Sequence, residues 1–188
     1  MHPSLLEFPE SFDTDRLTIR APRVGDGAEL NAAIRDSFAD LKPWMPWAHV
    51  MPTPPSVGDS EANIRQAVAE FIVRTDLRLL LFLKGTGTMV GSSGLHRINW
   101  DVPCFEIGYW MRTPYCGRGL MTEAVTGITA FARDQLKARR VEIRMADANV
   151  RSWKIAERAG FALEATLPQD RRLPDGRLDH TRIYAKIF

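Results

Sequence analysis

Tyr115-Cys-Gly-Arg-Gly-Leu-Met-Thr-Glu-Ala124 is the segment from which the rest of the chain can be read. Gly117 and Gly119 flank Arg118. Met121, Val125, Ile128 and Ala132 then recur at the spacing of a helix that would run to about Lys137. Immediately before the segment lies a strand-like run, Phe105-Glu-Ile-Gly-Tyr-Trp-Met111. A strand that enters a glycine turn and then a helix gathers backbone N–H groups. The first four N–H groups of a helix have no internal partner, and the helix dipole is positive there. The pattern predicts an anion cradle.

Two familiar nucleotide loops are excluded. A P-loop ends in Gly-Lys-Ser/Thr, which Gly117-Arg-Gly119 does not supply. The dinucleotide fingerprint needs a third glycine where Thr122 stands, after a parallel strand, and antiparallel hairpins precede this one. Gly85-Thr-Gly87 lies between two apolar runs with no helix behind it, so it reads as a hairpin turn.

Upstream, Arg16–Ala21 alternates as a first strand. A helix follows from a cap at Asp26 to about Phe38, and another from a cap at Asp59 or Ser60 to about Arg74. Leu41-Lys-Pro-Trp-Met-Pro-Trp-Ala48 reads as irregular because Pro43 and Pro46 each remove a donor. Strands are expected at Leu77–Lys84, Thr88–Ile98, Cys104–Arg112 and Val141–Met145. A short helix should follow Asn149 and end at Gly160. Phe161–Leu167 and Thr181–Ile187 should close the chain as an antiparallel pair around an arginine-rich loop, Gln169–Asp179. The reading is one mixed α/β domain over residues 1–188, with residues 1–14 loosely held.

Charge is distributed unevenly. Residues 1–111 carry 10 Lys/Arg against 14 Asp/Glu, and residues 112–188 carry 15 against 9, so the half with the cradle is the basic half. A net charge of +2 demands neither nucleic acid nor an anionic membrane. The basic pairs Arg139-Arg140 and Arg171-Arg172 lack interleaved aromatics, so direct nucleic-acid binding is not expected. The apolar run Leu79–Leu83 is too short to cross a bilayer. Two cysteines and no signal-peptide pattern point to a cytoplasmic protein with reduced thiols. His2, His49, His96 and His180 show no ligand spacing, so no metal is expected. His96 is the nearest of them to the proposed active strands and reads as a satisfied core or edge residue.

With these pieces in order, the chain resembles the GNAT N-acetyltransferase superfamily, and within it the Rim-type ribosomal-protein N-acetyltransferases. The resemblance rests on Glu106-Ile-Gly-Tyr-Trp110 followed by Gly117–Ala124. It also rests on Asn149-Val-Arg-Ser152 leading to Ala159-Gly-Phe161 and Glu164, and on the tryptophan loop Leu41–Trp47. It implies a mixed, mostly antiparallel sheet of six or seven strands with a splayed parallel pair, flanked by about four helices. It implies acetyl-CoA as cosubstrate, with the pyrophosphate held along Cys116, Gly117, Arg118, Gly119, Leu120, Met121 and Thr122, the pantetheine beside Trp110 and Met111, and the cofactor arm at Asn149. The family loop has Gln or Arg where Cys116 stands and Gly or Ala where Met121 stands. Both are departures, and Arg118 offers a substitute cation.

The implied reaction passes an acetyl group to a primary amine by direct attack in a ternary complex. It needs a base, donors for the acyl oxygen and an acid for the thiolate. Glu106 is the candidate base, acting directly or through water, with burial raising its pKa. Strand alternation offers the other reading, Glu106 turned to solvent. Ser152 is the candidate acid, since the Tyr of many relatives is Ala156 here. Ser152 and Asn149 are equally placed to cap a helix. Trp44 and Trp47 read either as an acceptor wall or as a cover for the sheet. The acceptor is a protein or peptide α-amine in the Rim-type reading, or a small amine or antibiotic in the wider family. A CoA-binding module without turnover is the rival class, and a homodimer is left open.

Overall fold

The apolar run Leu77–Leu83 (β3) is covered on both faces, which is why it reads as continuous rather than alternating. The structure is a computed structural model and describes residues 2–188. The remaining strands are β1 (Ser11–Asp13), β2 (Leu17–Arg20), β4 (Met89–Asn99), β5 (Cys104–Met111), β6 (Arg140–Ala146), β7 (Ala162–Arg172) and β8 (Leu178–Ile187). The helices are α1 (Gly27–Leu41), α2 (Pro46–His49), α3 (Val57–Val73), α4 (Leu120–Gln135) and α5 (Val150–Arg158). All eight strands form one sheet in the order β1-β2-β3-β4-β5-β6-β8-β7. Every pairing is antiparallel except β5 with β6, which α4 connects. This is the mixed sheet that the resemblance implies, with eight strands and five α-helices among the described residues in place of six or seven strands and about four helices.

The extra strand is β1, which pairs Phe12 with Ile19 of β2. It lies in the segment read as loosely held, where Phe8 and Phe12 also meet Phe131 of α4 at ring distances of 5.9 and 4.8 Å. Met1 lies outside the described residues.

Several boundaries differ from expectation for local reasons. The tryptophan loop is not wholly irregular. Pro46 occupies the first turn of α2, where its missing N–H costs nothing. The cap of α3 is Ser56, not Asp59 or Ser60. Its Oγ accepts from the Asp59 N–H while the Asp59 carboxylate accepts from the Ser56 N–H and Oγ–H. Asp26 precedes α1 without a side-chain cap, because its carboxylate is taken by Arg20 and the Arg23 N–H. Most of the supposed Gln169–Asp179 loop is strand, since β7 continues to Arg172 and β8 resumes at Leu178.

Alternation sorts the core into two layers. Leu79, Leu81, Phe105, Ile107, Val141 and Ile143 meet Met121, Val125 and Ile128 of α4 on one face. Leu80, Phe82 and Met89 meet Leu30 and Ile34 of α1 and Ile64 of α3 on the other. On this second face α1 contacts β4 and α3 contacts β3. Further along the sheet, β5 and β6 present Glu106, Gly108, Trp110, Glu142 and Arg144, all partly exposed. Among the described residues no helix is long and apolar enough to cross a membrane.

Candidate active site

The parallel pairing of β5 and β6 lasts only from Cys104–Arg140 through Phe105–Val141 to Glu106–Glu142. Beyond it β5 stays with β4, and β6 stays with β8. The two strands therefore part, and the edge of β5 that faces β6 is unpaired from Ile107 to Met111.

The glycine turn stands past the open end of this cleft. Gly117 and Gly119 have φ of 76° and 75°, in the left-handed region that only glycine enters without strain. Gly119 is the N-cap of α4 and supplies no side-chain cap, so the first N–H groups of α4 are left for another acceptor. Leu120 and Met121 are buried and anchor the helix start in the core, while Thr122 is partly exposed. Cys116 is exposed, with its Sγ 3.8 Å from the Arg112 carbonyl. The Arg118 guanidinium lies 5.3 Å from the Tyr115 ring.

The turn is tied down from the β1–β2 side. Arg16 donates from Nη1 to the Arg118 carbonyl at 2.8 Å and from Nε to Glu123 at 2.6 Å. The Arg16 N–H and the Thr14 hydroxyl also donate to Glu123. Burial pushes the Glu123 pKa up, but these bonds outweigh it and hold the value below the ordinary 4.5. A group with a depressed folded pKa stabilises the fold above its unfolded value and loses that effect as pH falls through the folded one. Glu123→Gln is therefore expected to cost about 1–3 kcal/mol at neutral pH. The gap in melting temperature from the wild type should close toward acid; a gap that persists at low pH would show that the charge is not what matters.

Glu106 faces away from α4, with 17% of its side chain exposed, so it is not turned to solvent. Burial pushes its pKa above the ordinary 4.5. Arg97, Arg144 and His96 pull it down, Glu142 pushes it further up, and burial prevails. Arg97 Nε is 3.3 Å from Oε2, yet Oε2 is buried without a hydrogen bond among the described residues. A buried carboxylate oxygen without a donor is costly unless another group uses it.

Across the cleft, the Tyr109 hydroxyl donates to the Ser152 carbonyl at 2.9 Å and lies 3.1 Å from Ser152 Oγ. Burial pushes this phenol up to about 12, against the pull of its Ser152 bond, so it stays protonated. Asn149 Oδ1 accepts from the Ser152 N–H and caps α5. Trp47 meets Trp110 edge-on at 6.4 Å. Trp44 is 39% exposed and has no aromatic partner among the described residues.

The structure thus brings Glu106, Trp110 and Trp47 to one face of the sheet, and Tyr109 and Ser152 to the cleft. Trp44 is not part of either group. Sequence reasoning missed the Tyr109 phenol, although its odd offset from Glu106 already assigns it to the opposite face of β5. It also missed the Arg16–Glu123 clasp and a contact between His96 and Asp76. Neither has a local signal, because each joins residues far apart in the chain. Among the described residues no group of three or more His, Cys, Asp or Glu is placed to hold a metal ion.

The family described as acetyltransferase (GNAT) domain matches residues 16–162. The ribosomal-protein-serine acetyltransferase of Escherichia coli (strain K12) is 25% identical over 173 residues, which cover 88% of this chain and 96% of that protein. YdaF of Bacillus subtilis (strain 168), named as a ribosomal N-acetyltransferase, is 32% identical over 102 residues. That match spans 54% of this chain and only 55% of YdaF. Among solved structures, RimL, a ribosomal L7/L12 alpha-N-protein acetyltransferase in complex with coenzyme A, superposes with a TM-score of 0.86. The superposition covers 95% of this chain and 98% of RimL, and at 20% identity it is a likeness of fold.

Proposed function

The chain belongs to the GNAT acetyltransferase family, and from that membership we propose that it moves an acetyl group from acetyl-CoA to the α-amine of a protein or peptide, in a ternary complex. The observation that carries the reading is Glu106: a buried carboxylate with a raised pKa and an unsatisfied oxygen, on an open face beside a splayed strand pair. The name of one relative, a ribosomal-protein-serine acetyltransferase, favours a protein as acceptor. Chemistry favours its N-terminus, because an α-amine is released from its proton more easily than lysine, with reference values of about 8 and 10.4.

The residues fit acetyl-CoA. The uncapped start of α4 offers N–H groups from Gly117 to Thr122 to a pyrophosphate, with Arg118 adding charge and Cys116 at the rim. The free edge of β5 at Trp110 and Met111 can pair with an amide-bearing arm, and its N–H groups can meet the acyl oxygen. Asn149 commits Oδ1 to its cap and keeps its amide N–H groups for that arm. Acetyl-CoA supplies the activated acyl group. Glu106 takes a proton from the amine. Ser152 Oγ, 3.1 Å from the Tyr109 hydroxyl, would offer its O–H as a hydrogen-bond donor to the departing sulfur. Trp47 and Trp110 wall the acceptor, and the exposed Trp44 stands outside that pair. A cytoplasmic setting belongs to the same reading.

Gly119→Ala tests the cradle. An added Cβ would meet only Arg16 Nη2 at 3.5 Å, so the cost comes from φ alone, about 1–2 kcal/mol. Titration calorimetry should show acetyl-CoA binding weakened roughly tenfold; unchanged affinity would remove the pyrophosphate from this turn. The reaction itself is tested by acetylating an amine library that includes peptides with different first residues. Activity confined to non-amine acceptors, or binding of acetyl-CoA without any acetylation, would overturn the assignment.

A further inference from the structure

His96 stands directly across the β4–β5 pairing from Glu106, on the same face of the sheet. Its Nδ1 lies 2.6 Å from Asp76 Oδ2, at the entry to β3. A carboxylate only accepts, so Nδ1 carries the proton and the neutral ring keeps its lone pair on Nε2. No hydrogen bond to Nε2 is found among the described residues. The ring lies across two glycines. A Cβ at Gly94 would stand 2.9 Å from Cε1, and one at Gly108 would stand 3.0 Å from Cδ2 and 3.3 Å from Nε2. The Nε2 edge therefore rests over Gly108 of β5, between Glu106 and Trp110, where β5 leaves β6. Asp76 Oδ1, like Glu106 Oε2, is buried without a hydrogen bond, so two of the three such atoms among the described residues bracket this ring. The aim of His96 has a backbone cause. The β4–β5 register shifts between His96 and Asn99, and Arg97 has φ of 45°. Such bulges redirect side chains beside active sites.

The reaction gives this arrangement a task. Two protons leave the nitrogen between an ammonium and an amide, and one carboxylate holds one of them. We propose that His96, oriented by Asp76, is a second catalytic proton acceptor on the amine side, working beside Glu106. An N–H bond of the reacting nitrogen breaks, its electron pair stays on nitrogen, and the proton bonds to Nε2. The Asp76 carboxylate balances the imidazolium. The ring, with 28% of its side chain exposed, then gives the proton to solvent. The proposal rests on the acetyltransferase reading above.

The test uses the full chain with an amine that the wild type acetylates. His96→Gln should lower kcat roughly 100-fold, the scale of one general base, with acetyl-CoA affinity and melting temperature unchanged. Asp76→Asn, which can still fill the site but cannot balance an imidazolium, should lower kcat by a smaller factor. His96→Ala opens space over Gly94 and Gly108, and free imidazole should restore part of its turnover. Independently of activity, a downfield Nδ1–H proton resonance should be present in the wild type and in Glu106→Gln and absent from Asp76→Asn. Full activity of His96→Gln, a loss that imidazole does not restore, or absence of that resonance from the wild type overturns the dyad alone. A wild type that acetylates no amine overturns the acetyltransferase reading, and the dyad with it.

Discussion

Glu106→Gln is expected to lower kcat by roughly 10²–10⁴-fold, the range of a positioned general base. The amide has the shape of the carboxylate but cannot take a proton. Acetyl-CoA affinity should be unchanged, because the proposed cradle lies past the opposite end of the cleft from Glu106. The fold should hold or gain slightly, since the variant no longer buries a charge whose Oε2 lacks a hydrogen bond. Initial rates at saturating acetyl-CoA, with calorimetric affinity alongside, check the pair of outcomes. A variant within a few-fold of wild-type turnover would remove Glu106 from the chemistry. Equal loss of rate and cofactor binding would make it a structural residue. In the wild type, kcat/KM should decline on the acid side at a pH above the ordinary carboxylate range, because burial raises this pKa and the base is active only when ionised.

Phe105→Ala is expected to have the largest effect on stability, about 3–5 kcal/mol. Phe105 is fully buried. It meets Trp100 edge-on at 5.3 Å and pairs with Val141 at the closed end of the β5–β6 cleft. Truncation leaves a cavity where the two strands are held together. Against a typical total of about 5–15 kcal/mol, this is a large share. For a chain of this length the melting temperature should fall by about 10 °C. A drop of only a few degrees would mean that the cleft's closed end repacks freely.

Much of this molecule was legible in local sequence. Gly117 and Gly119 mark a left-handed turn because other residues are strained there, and helical spacing begins one residue later. Alternation in β5 separated Phe105 and Ile107 from Glu106. Capping is less legible from single residues. Ser56 and Asp59 form a reciprocal box, and a single-residue signal at Asp59 pointed three positions too far along. The β7–β8 hairpin reaches further than the expected Gln169–Asp179 loop allows. Arg171 instead lies in the ladder and donates to Thr181.

The sequence alone determined the order of the main strands and helices and the left-handed glycine turn before α4, because glycine conformation, helix starts and strand periodicity are set within a few residues, while the mixed sheet followed from the family resemblance. Only the tertiary structure decided which distant side chains share a face. The β4–β5 register sets His96 opposite Glu106, the start of β3 supplies Asp76, and the parting of β5 from β6 lets Tyr109 reach Ser152. Those pairings depend on register and strand order. A shift of one residue would send each side chain to the other face, and no short stretch of sequence records it.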